Sequence, residues 1–338
     1  MTHTDAHVIT LGTAGGPRVW TLDDDAEPRC GIATAVVVGD KWYLIDCGQS
    51  VYRQVRKAGL DINKLGGIFI THMHSDHTVD LINMLVLGFY TVAGEGHTIP
   101  IFGPGDRGAL HPLSPRASGP VNHVFDDQPT PGTRSMVDFL LRSHATDLNE
   151  RILDSLYPNP VNIFEAHDIE LPADCGFQAN SAPSPAMRPF TVFEDETVRV
   201  SATLVVHPPV APAFAFRFDY DGGSVTISGD TKYSENLGEL AADTSLLLHE
   251  AIDLDWAHRF YDDDESGRAS IDHHKKSHTP PDLAGKLAEQ AGAKKLALHH
   301  LVPGNAHGKV WESARSTYSS ELIIPRDNQV ISLNGYTV

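Results

Sequence analysis

Three histidines and one aspartate fall within six consecutive positions of the chain, in the sequence THMHSDH at residues 71–77. The apolar residues 67–70 precede this run directly, which predicts a buried strand that ends in a turn rich in metal ligands. Imidazole and carboxylate together suit zinc, with manganese or iron as competitors. A polar surface turn is the alternative, because 19 histidines in 338 residues form pairs readily by chance. The ordered HxHxDH pattern behind a strand favours a metal site, and one that holds two ions.

Further ligand-type residues follow short apolar runs elsewhere in the chain. They are His207 after residues 204–206, Asp230 after 225–229, His249 and Glu250 after 246–248, and His300 after 296–298. Any one of them alone is explained as well by a structural side chain. Two metal ions, however, need about seven protein ligands between them, and the run and the distant residues together supply that number. The predicted ligands are His72, His74, Asp76, His77, His207, Asp230 and His300.

Strand and helix signals in both halves of the chain predict an α+β fold. Strands are expected at residues 7–11, 33–38, 42–45, 68–71, 197–207, 213–220, 224–228, 246–250 and 295–298. Helices are expected at residues 51–58, 79–90, 134–157 and 281–291. Two sheets with helices between them in sequence and polar ligands at strand ends indicate a four-layer αββα sandwich.

Residues 110–190 differ from the rest of the chain. Residues 110–131 are rich in proline, serine and glycine, and residues 158–190 are rich in proline, so both parts are expected to be irregular. We predict one domain over residues 1–338, with 110–190 inserted over one face of the strand-rich core. There the insertion would cover and shape the pocket.

The chain resembles the metallo-β-lactamase superfamily, and within it the tRNase Z-like branch. The matching stretches are THMHSDHTVD at 71–80, IPIFGPG at 99–105, SGDT at 228–231, HEA at 249–251, SHT at 277–279 and HHL at 299–301. The HxHxDH element is shared across the superfamily, whereas HEA and SHT point to the branch. The resemblance extends over nearly the whole chain, from Gly12 to about Pro303.

This resemblance implies a division of the ligands between two zinc ions. One ion would be held by His72, His74 and His207. The other would be held by Asp76, His77 and His300. Asp230 would bridge the two ions, together with a water or hydroxide. His299 is not expected to be a ligand, because the family's histidine directly precedes the leucine.

The resemblance also implies a catalytic histidine that binds no metal, His278, which would donate a proton to the leaving group. Glu250 would orient this imidazole or share its proton, and Asp76 is a catalytic candidate as well as a ligand. A capping role before the helix at 281–291 is the alternative for His278. Asp46, at the end of the strand at 42–45, is expected to orient a ligand histidine.

Several other histidines are expected to lie in exposed loops, although any of them could line the pocket. They are His111, His123, His144, His167, His273 and His274.

Charge and cysteine content restrict the expected partners and compartment. The chain has 44 acidic and 26 basic side chains and a net charge of −18, which repels nucleic acid and anionic membranes. His207 and Asp230 are only 23 positions apart, which leaves no room for the long basic tRNA-binding arm of tRNase Z. We therefore expect no nucleic-acid and no membrane partner. Three cysteines without a CxxC pair and no recognisable signal peptide predict a cytoplasmic protein, and a homodimer stays open.

The combined features predict a dinuclear zinc hydrolase of a small-molecule ester, with the hydroxide between the ions as nucleophile. Extra residues between Gly105 and Thr197 resemble the arylsulfatase-like and phosphodiesterase members of the branch, so phosphodiester and aryl sulfate ester rank first. Lactone or carboxylic ester comes next, because the ligands alone do not separate these bonds. An iron-binding oxidoreductase or a metal-binding scaffold is the alternative from a different class.

Overall fold

The computed structural model of the protein describes residues 5–20, 28–92 and 96–333. Residues 1–4, which bear on the expected absence of a signal peptide, lie outside these ranges. Within them, the chain forms two seven-stranded sheets with helices on their outer faces.

The first sheet contains the first six strands of the chain and the last one. They are β1 Ala6–Gly12, β2 Ala33–Val38, β3 Lys41–Ile45, β4 Leu65–Phe69, β5 Ile99–Pro104, β6 Phe164–Ile169 and β14 Gln329–Ser332. Their order across the sheet is β14-β1-β2-β3-β4-β5-β6. Strands β3 to β6 are parallel, so the turns that follow β3, β4 and β5 lie at one edge of the sheet.

The second sheet contains the remaining strands. They are β7 Phe190–Glu194, β8 Val198–Leu204, β9 Phe214–Tyr220, β10 Gly223–Ile227, β11 Leu246–Ile252, β12 Lys295–Val302 and β13 Glu321–Ile323. Their order is β13-β12-β11-β10-β9-β8-β7, with β10 to β13 parallel. The residues of β11 are buried throughout, as expected for a parallel strand covered on both faces.

Helices cover the outer faces of both sheets. They are α1 Val51–Lys57, α2 Ser75–Thr78, α3 Leu81–Gly88, α4 Thr133–Ser143, α5 Ala145–Ser155, α6 Glu235–Leu240, α7 Leu254–Phe260, α8 Glu265–Ser277, α9 Pro281–Ala291 and α10 Gly308–Trp311. Short 3₁₀ helices occupy residues 62–64, 89–91, 160–162 and 312–316. One apolar cluster joins α1, α3 and α4 to the first sheet, and another joins α6 and α9 to the second. The predicted αββα sandwich is confirmed.

A third apolar cluster holds the two sheets together. Phe69 at the end of β4 is fully buried in it and contacts rings from both sheets. The centroid of its ring lies 5.5 Å from that of Phe102 in the first sheet, and 5.7 Å and 5.2 Å from those of Phe216 and Phe218 in the second. Phe69 therefore links the two sheets at the point where the chain enters the histidine-rich run.

Two predictions about residues 110–190 are wrong. The single helix expected at 134–157 is two helices that meet at His144. There the Ser143 hydroxyl donates to the Leu140 carbonyl at 2.6 Å, and side-chain bonds of this kind compete with helical ones. Residues 158–190 are not wholly irregular either, because β6 forms the edge of the first sheet beside β5. Its sequence, FEAHDI, carries too many polar residues to stand out as a strand.

No helix among the described residues is both long and apolar enough to cross a membrane.

Replacing Phe69 by alanine should lower the free energy of unfolding by about 3–5 kcal/mol, because it leaves a cavity between the sheets. Urea unfolding of the metal-free protein measures this change. Phe125→Ala is the matched control: Phe125 is 77% exposed, and its loss should cost less than about 0.5 kcal/mol. Equal effects of the two changes would contradict the assigned role of Phe69.

Candidate metal centre

The sequence-predicted ligands come together where strands of both sheets end. The run at residues 71–77 follows β4 of the first sheet, and its second part forms the short helix α2. From the second sheet, His207 follows β8, Asp230 follows β10, and His300 lies near the end of β12. The centre is therefore built from the ends of four strands that belong to two different sheets.

His72, His74, His207 and Asp230 form one group of converging ligand atoms. The Nδ1 of His74 lies 3.1 Å from the Nε2 of His72 and 3.2 Å from the Nε2 of His207. The Asp230 Oδ2 lies 3.9 Å from each of these two Nε2 atoms. Burial lowers the pKa of His72 and of His207 well below the usual range, which favours the neutral imidazole that binds metal.

Asp76, His77, His300 and the same Asp230 form the second group. The His300 Nε2 lies 3.3 Å from the Asp76 Oδ2 and 3.2 Å from the Asp230 Oδ2. The His77 Nε2 lies 3.4 Å from the Asp230 Oδ1. Asp230 is thus the one residue that belongs to both groups, and its two oxygens face different partners.

These residues fit a pair of divalent cations. Ligand atoms about 2.0–2.1 Å from a tetrahedral zinc lie roughly 3.3 Å apart, close to the spacings found within each group. The His77 Nε2 and the Asp230 Oδ1 are buried and have no hydrogen-bond partner among the described residues. Burial alone would raise the pKa of Asp230, but His300 and His77 hold it well below its usual range, so the carboxylate stays charged. Buried nitrogen and oxygen atoms without a hydrogen-bond partner are expected at a metal site, where the ion becomes their partner.

Asp46 contacts two residues of the run, Thr71 and His77, and its role in orienting His77 stays a prediction. Its Oδ2 lies 2.7 Å from the His77 Nδ1 and accepts a hydrogen bond of 2.9 Å from the Thr71 hydroxyl. Its Oδ1 accepts the Thr71 backbone N–H at 2.8 Å. A carboxylate that receives the Nδ1 proton fixes the tautomer of the imidazole and leaves Nε2 free to bind metal.

A bulge in β12 turns His300 toward the centre. Glu250 of β11 pairs with His299, and Ala251 pairs with Leu301, so His300 is an extra residue in the ladder. Its φ of 46° is in the left-handed region, which is consistent with a bulge that redirects a side chain. The neighbouring His299 points elsewhere, and its Nδ1 lies 3.5 Å from the Thr34 hydroxyl.

Gly229 allows the turn that carries Asp230. Its φ is 58°, and a Cβ at this position would lie 2.6 Å from the Phe214 carbonyl oxygen and 3.0 Å from the Cβ of Thr71. Only glycine fits both the conformation and the space. The motif SGDT therefore places the shared carboxylate through its glycine as well as through its aspartate.

His278 and Glu250 contact each other beside the candidate metal ligands, and their catalytic roles stay predictions. The His278 Nδ1 lies 2.9 Å from the Glu250 Oε1, which also accepts the Thr231 backbone N–H at 2.9 Å. Burial alone would lower the pKa of His278, but Glu250, Asp230 and Asp76 outweigh it and raise the pKa to about 9. Glu250 also holds the residue after Asp230, so it positions both the imidazole and the shared ligand.

Three histidines expected in exposed loops lie elsewhere. His273 and His274 are half-buried on α8 and line a cleft of about 520 Å³ that opens onto Asp76, Asp230, His278 and His300. His167 lies in β6, where its ring stacks on that of Phe102 with centroids 4.9 Å apart.

Helix α8 was missed because its charged sequence resembles a solvated loop. The available signal was Asp264, whose side chain accepts the Gly267 N–H at 2.7 Å and caps the helix. The cleft residues Tyr261, Ser266 and Ser270 were missed with it.

A sequence model of the metallo-beta-lactamase superfamily matches residues 28–267, most of the chain. The chain belongs to the metallo-beta-lactamase superfamily. Members of this superfamily typically bind divalent metals, usually zinc, and the chain is a metal-dependent hydrolase that acts on ester bonds.

Individual relatives support the predicted resemblance to the tRNase Z-like branch of this superfamily. Ribonuclease Z of Mycobacterium marinum is 27% identical over 315 residues, which cover 91% of this chain and 92% of that protein. The fold is similar to that of the metallo-beta-lactamase fold protein YhfI from Bacillus subtilis, with a TM-score of 0.59, 19% identity and coverage of 97% and 99%. It is also similar to human tRNase Z, short form, with a TM-score of 0.58, 22% identity and coverage of 97% and 99%.

These relatives contradict the prediction that the partner is a small-molecule ester and that nucleic acid is excluded. The relative that matches over 91% of this chain is named Ribonuclease Z, and the similar human structure is a tRNase Z. The short segment between His207 and Asp230 does hold only β9 and β10, and the net charge is −18. A net charge is a sum over the whole surface, however, and does not set the potential at a cleft lined by residues that could hold divalent cations.

Replacing Asp230 by alanine should reduce bound metal from two ions per chain to fewer than one, because both ligand groups lose a charged member. Metal analysis of the desalted protein measures this loss. Asp221→Ala removes the same charge from an exposed turn and should leave the metal content unchanged. Two ions retained by the Asp230 variant would contradict a shared ligand.

Proposed function

We propose that the protein is a dinuclear zinc-dependent phosphodiesterase. The observation that carries the proposal is the position of Asp230, whose carboxylate belongs to both ligand groups. One carboxylate shared by two sets of ligands would hold two cations a short distance apart. Two-metal enzymes use such a pair to stabilise the charge that develops at a phosphoryl centre. The relatives named Ribonuclease Z support a phosphodiester ahead of a sulfate, lactone or carboxylic ester.

We assign the ligands to the two cations in the same two sets that the sequence resemblance implies. One cation would be held by His72, His74 and His207, the other by Asp76, His77 and His300, and both by Asp230. When bound, the cations supply Lewis acidity that polarises the phosphoryl oxygens and lowers the pKa of water. Asp46 keeps His77 in the metal-binding tautomer through its contact with Nδ1.

His278 would protonate the leaving oxygen. When a phosphodiester is hydrolysed, one P–O bond breaks, water supplies a hydroxyl to phosphorus, and a proton ends on the departing oxygen. His278 uses Nδ1 to contact Glu250, which leaves Nε2 for the cleft. Glu250 stabilises the protonated imidazole by its negative charge, so His278 holds a proton for delivery near neutral pH.

The α8 side of the cleft supplies polar groups for the substrate. Tyr261, Ser266, Ser270 and His273 line it opposite the metal ligands. The Tyr261 hydroxyl lies 3.1 Å from the His274 Nε2, so these two side chains support each other at the rim. Hydroxyl and imidazole groups of this kind can hydrogen-bond to a leaving group that is itself polar.

A panel of p-nitrophenyl esters tests the proposed reaction. The purified protein, loaded with zinc or with manganese, is assayed on a phosphodiester, a phosphomonoester, a sulfate and an acetate. A phosphodiester kcat/KM at least about tenfold above the others supports the proposal. A preference for the sulfate or the acetate overturns the phosphodiester assignment. Metal analysis of the same protein accompanies the assay, and iron in place of zinc would overturn the assignment of the metal.

His278→Ala should keep two metal ions but lower kcat/KM by about 10²–10³-fold for a phenyl leaving group. The loss should be under tenfold for p-nitrophenolate, which departs readily without a proton. His258→Ala, an exposed histidine on α7, is the matched control and should change neither value. An equal loss for both leaving groups would rule out proton donation by His278.

Cytoplasmic location and a homodimeric state stay predictions. The free cysteines Cys30, Cys47 and Cys175 are compatible with a reducing compartment. The pocket-covering role of residues 110–190 within one domain is a proposal as well, and it underlies the inference that follows.

A further inference from the structure

A second cavity, of about 680 Å³, adjoins the candidate metal centre on the side away from α8. Its walls come from α4, from residues 105–111 and 129–131, and from residues 209–211 that follow His207. Met73 and His74 line it where it meets the centre. His74 also lines the cleft of about 520 Å³ beside α8, called the polar cleft from here on. The two spaces therefore lie on either side of His74.

The lining of this cavity is mainly apolar. Positions 136, 139 and 140 of α4 lie on one face of the helix, because residues three and four apart are neighbours there. Met136, Phe139 and Leu140 occupy that face. Met136 and Leu140 also pack against the core cluster of the first sheet, in which Val137 and Leu141 are buried. Phe139 is 47% exposed and Leu110, across the cavity, is 41% exposed. Large apolar side chains left open to solvent beside a reactive centre indicate a ligand-binding surface.

Two polar side chains of the cavity, Arg107 and Thr130, are hydrogen-bonded to the protein itself. Arg107, the one permanently charged residue that lines it, donates to the carbonyls of Ala109 at 2.7 Å, Ala179 at 3.2 Å and Pro209. The Thr130 hydroxyl donates to Asp106 at 2.6 Å. Arg107 is therefore held in place by neutral oxygen acceptors of the protein, and most of the remaining lining that faces an occupant is apolar.

The position of His278 indicates which part of the substrate would occupy the apolar cavity. His278 lines the polar cleft and not the apolar cavity. In the proposed reaction the leaving oxygen meets His278, so it would lie on the α8 side. The substituent that stays on phosphorus would then point past His74 toward Phe139.

We propose that the apolar cavity binds a flat, weakly polar ring carried by the retained ester oxygen of a phosphodiester. The cavity is large enough for an aryl group or for a nucleobase with its sugar, and both present a planar face that can stack on Phe139. This inference rests on the proposed phosphodiesterase function.

Three p-nitrophenyl phosphodiesters that share a leaving group test the inference. Their retained groups are methyl, phenyl and the 5′-oxygen of thymidine. The phenyl ester, the thymidine ester or both should exceed the methyl ester in kcat/KM by about 10- to 50-fold, because a ring is removed from water. A preference for the phenyl ester alone indicates that the cavity binds an aryl group. A preference that includes the thymidine ester indicates that it binds a nucleobase.

Phe139→Ala should lower the preference for a ring over methyl, measured as the ratio of the kcat/KM values, by at least about fivefold. Phe125→Ala removes an exposed phenylalanine of the same segment outside this cavity and should leave the preference intact. Phenylphosphonate should inhibit competitively at a lower concentration than methylphosphonate, and Phe139→Ala should remove this difference.

The failures of the two proposals are distinguishable. If none of the three diesters is hydrolysed by the zinc-loaded protein, the phosphodiesterase function itself is wrong. If all three are hydrolysed at similar rates and Phe139→Ala changes no ratio, the function stands and the ring-binding cavity is overturned.

Discussion

The carboxylate of Asp230 lies almost completely buried between five imidazoles, those of His72, His77, His207, His278 and His300. A buried carboxylate is unfavourable unless cations or hydrogen bonds compensate it, and here most of the facing atoms are ring nitrogens. Much of the surrounding structure serves to hold this one group. Gly229 allows its turn, Glu250 holds the next residue, and the bulge in β12 brings His300 against it.

The two sides of the centre differ in chemical character. Helix α8 provides hydroxyl and imidazole groups on one side, whereas α4 provides methionine, leucine and phenylalanine on the other. The sheets fix the reactive atoms between these helices. Substrate selection can therefore change through α4 or α8 without any change in the ligands.

Much of the centre was predictable from the sequence, because its ligands follow apolar strands or form one dense run. The hairpin of β2 and β3 and the bounds of α9 also agree with their local signals. Features set by tertiary context were missed. The edge strand β6 is half polar, and the sequence alone contained no sign of the bulge that separates His300 from His299. The sequence also did not predict helix α8 or the polar residues that it contributes to the cleft. A charged helix that packs on one face has a sequence similar to that of a loop.

The ligands are divided between the sheets: His72, His74, Asp76 and His77 follow a strand of the first, and His207, Asp230 and His300 belong to the second. Any ion that binds both sets is a crosslink between the two halves of the sandwich, in addition to the aromatic contacts of Phe69. The halves cannot separate without releasing it, so free metal shifts the folding equilibrium by mass action. The melting temperature of the protein should accordingly rise with metal concentration and fall with a chelator, which makes stability a readout of occupancy that requires no substrate.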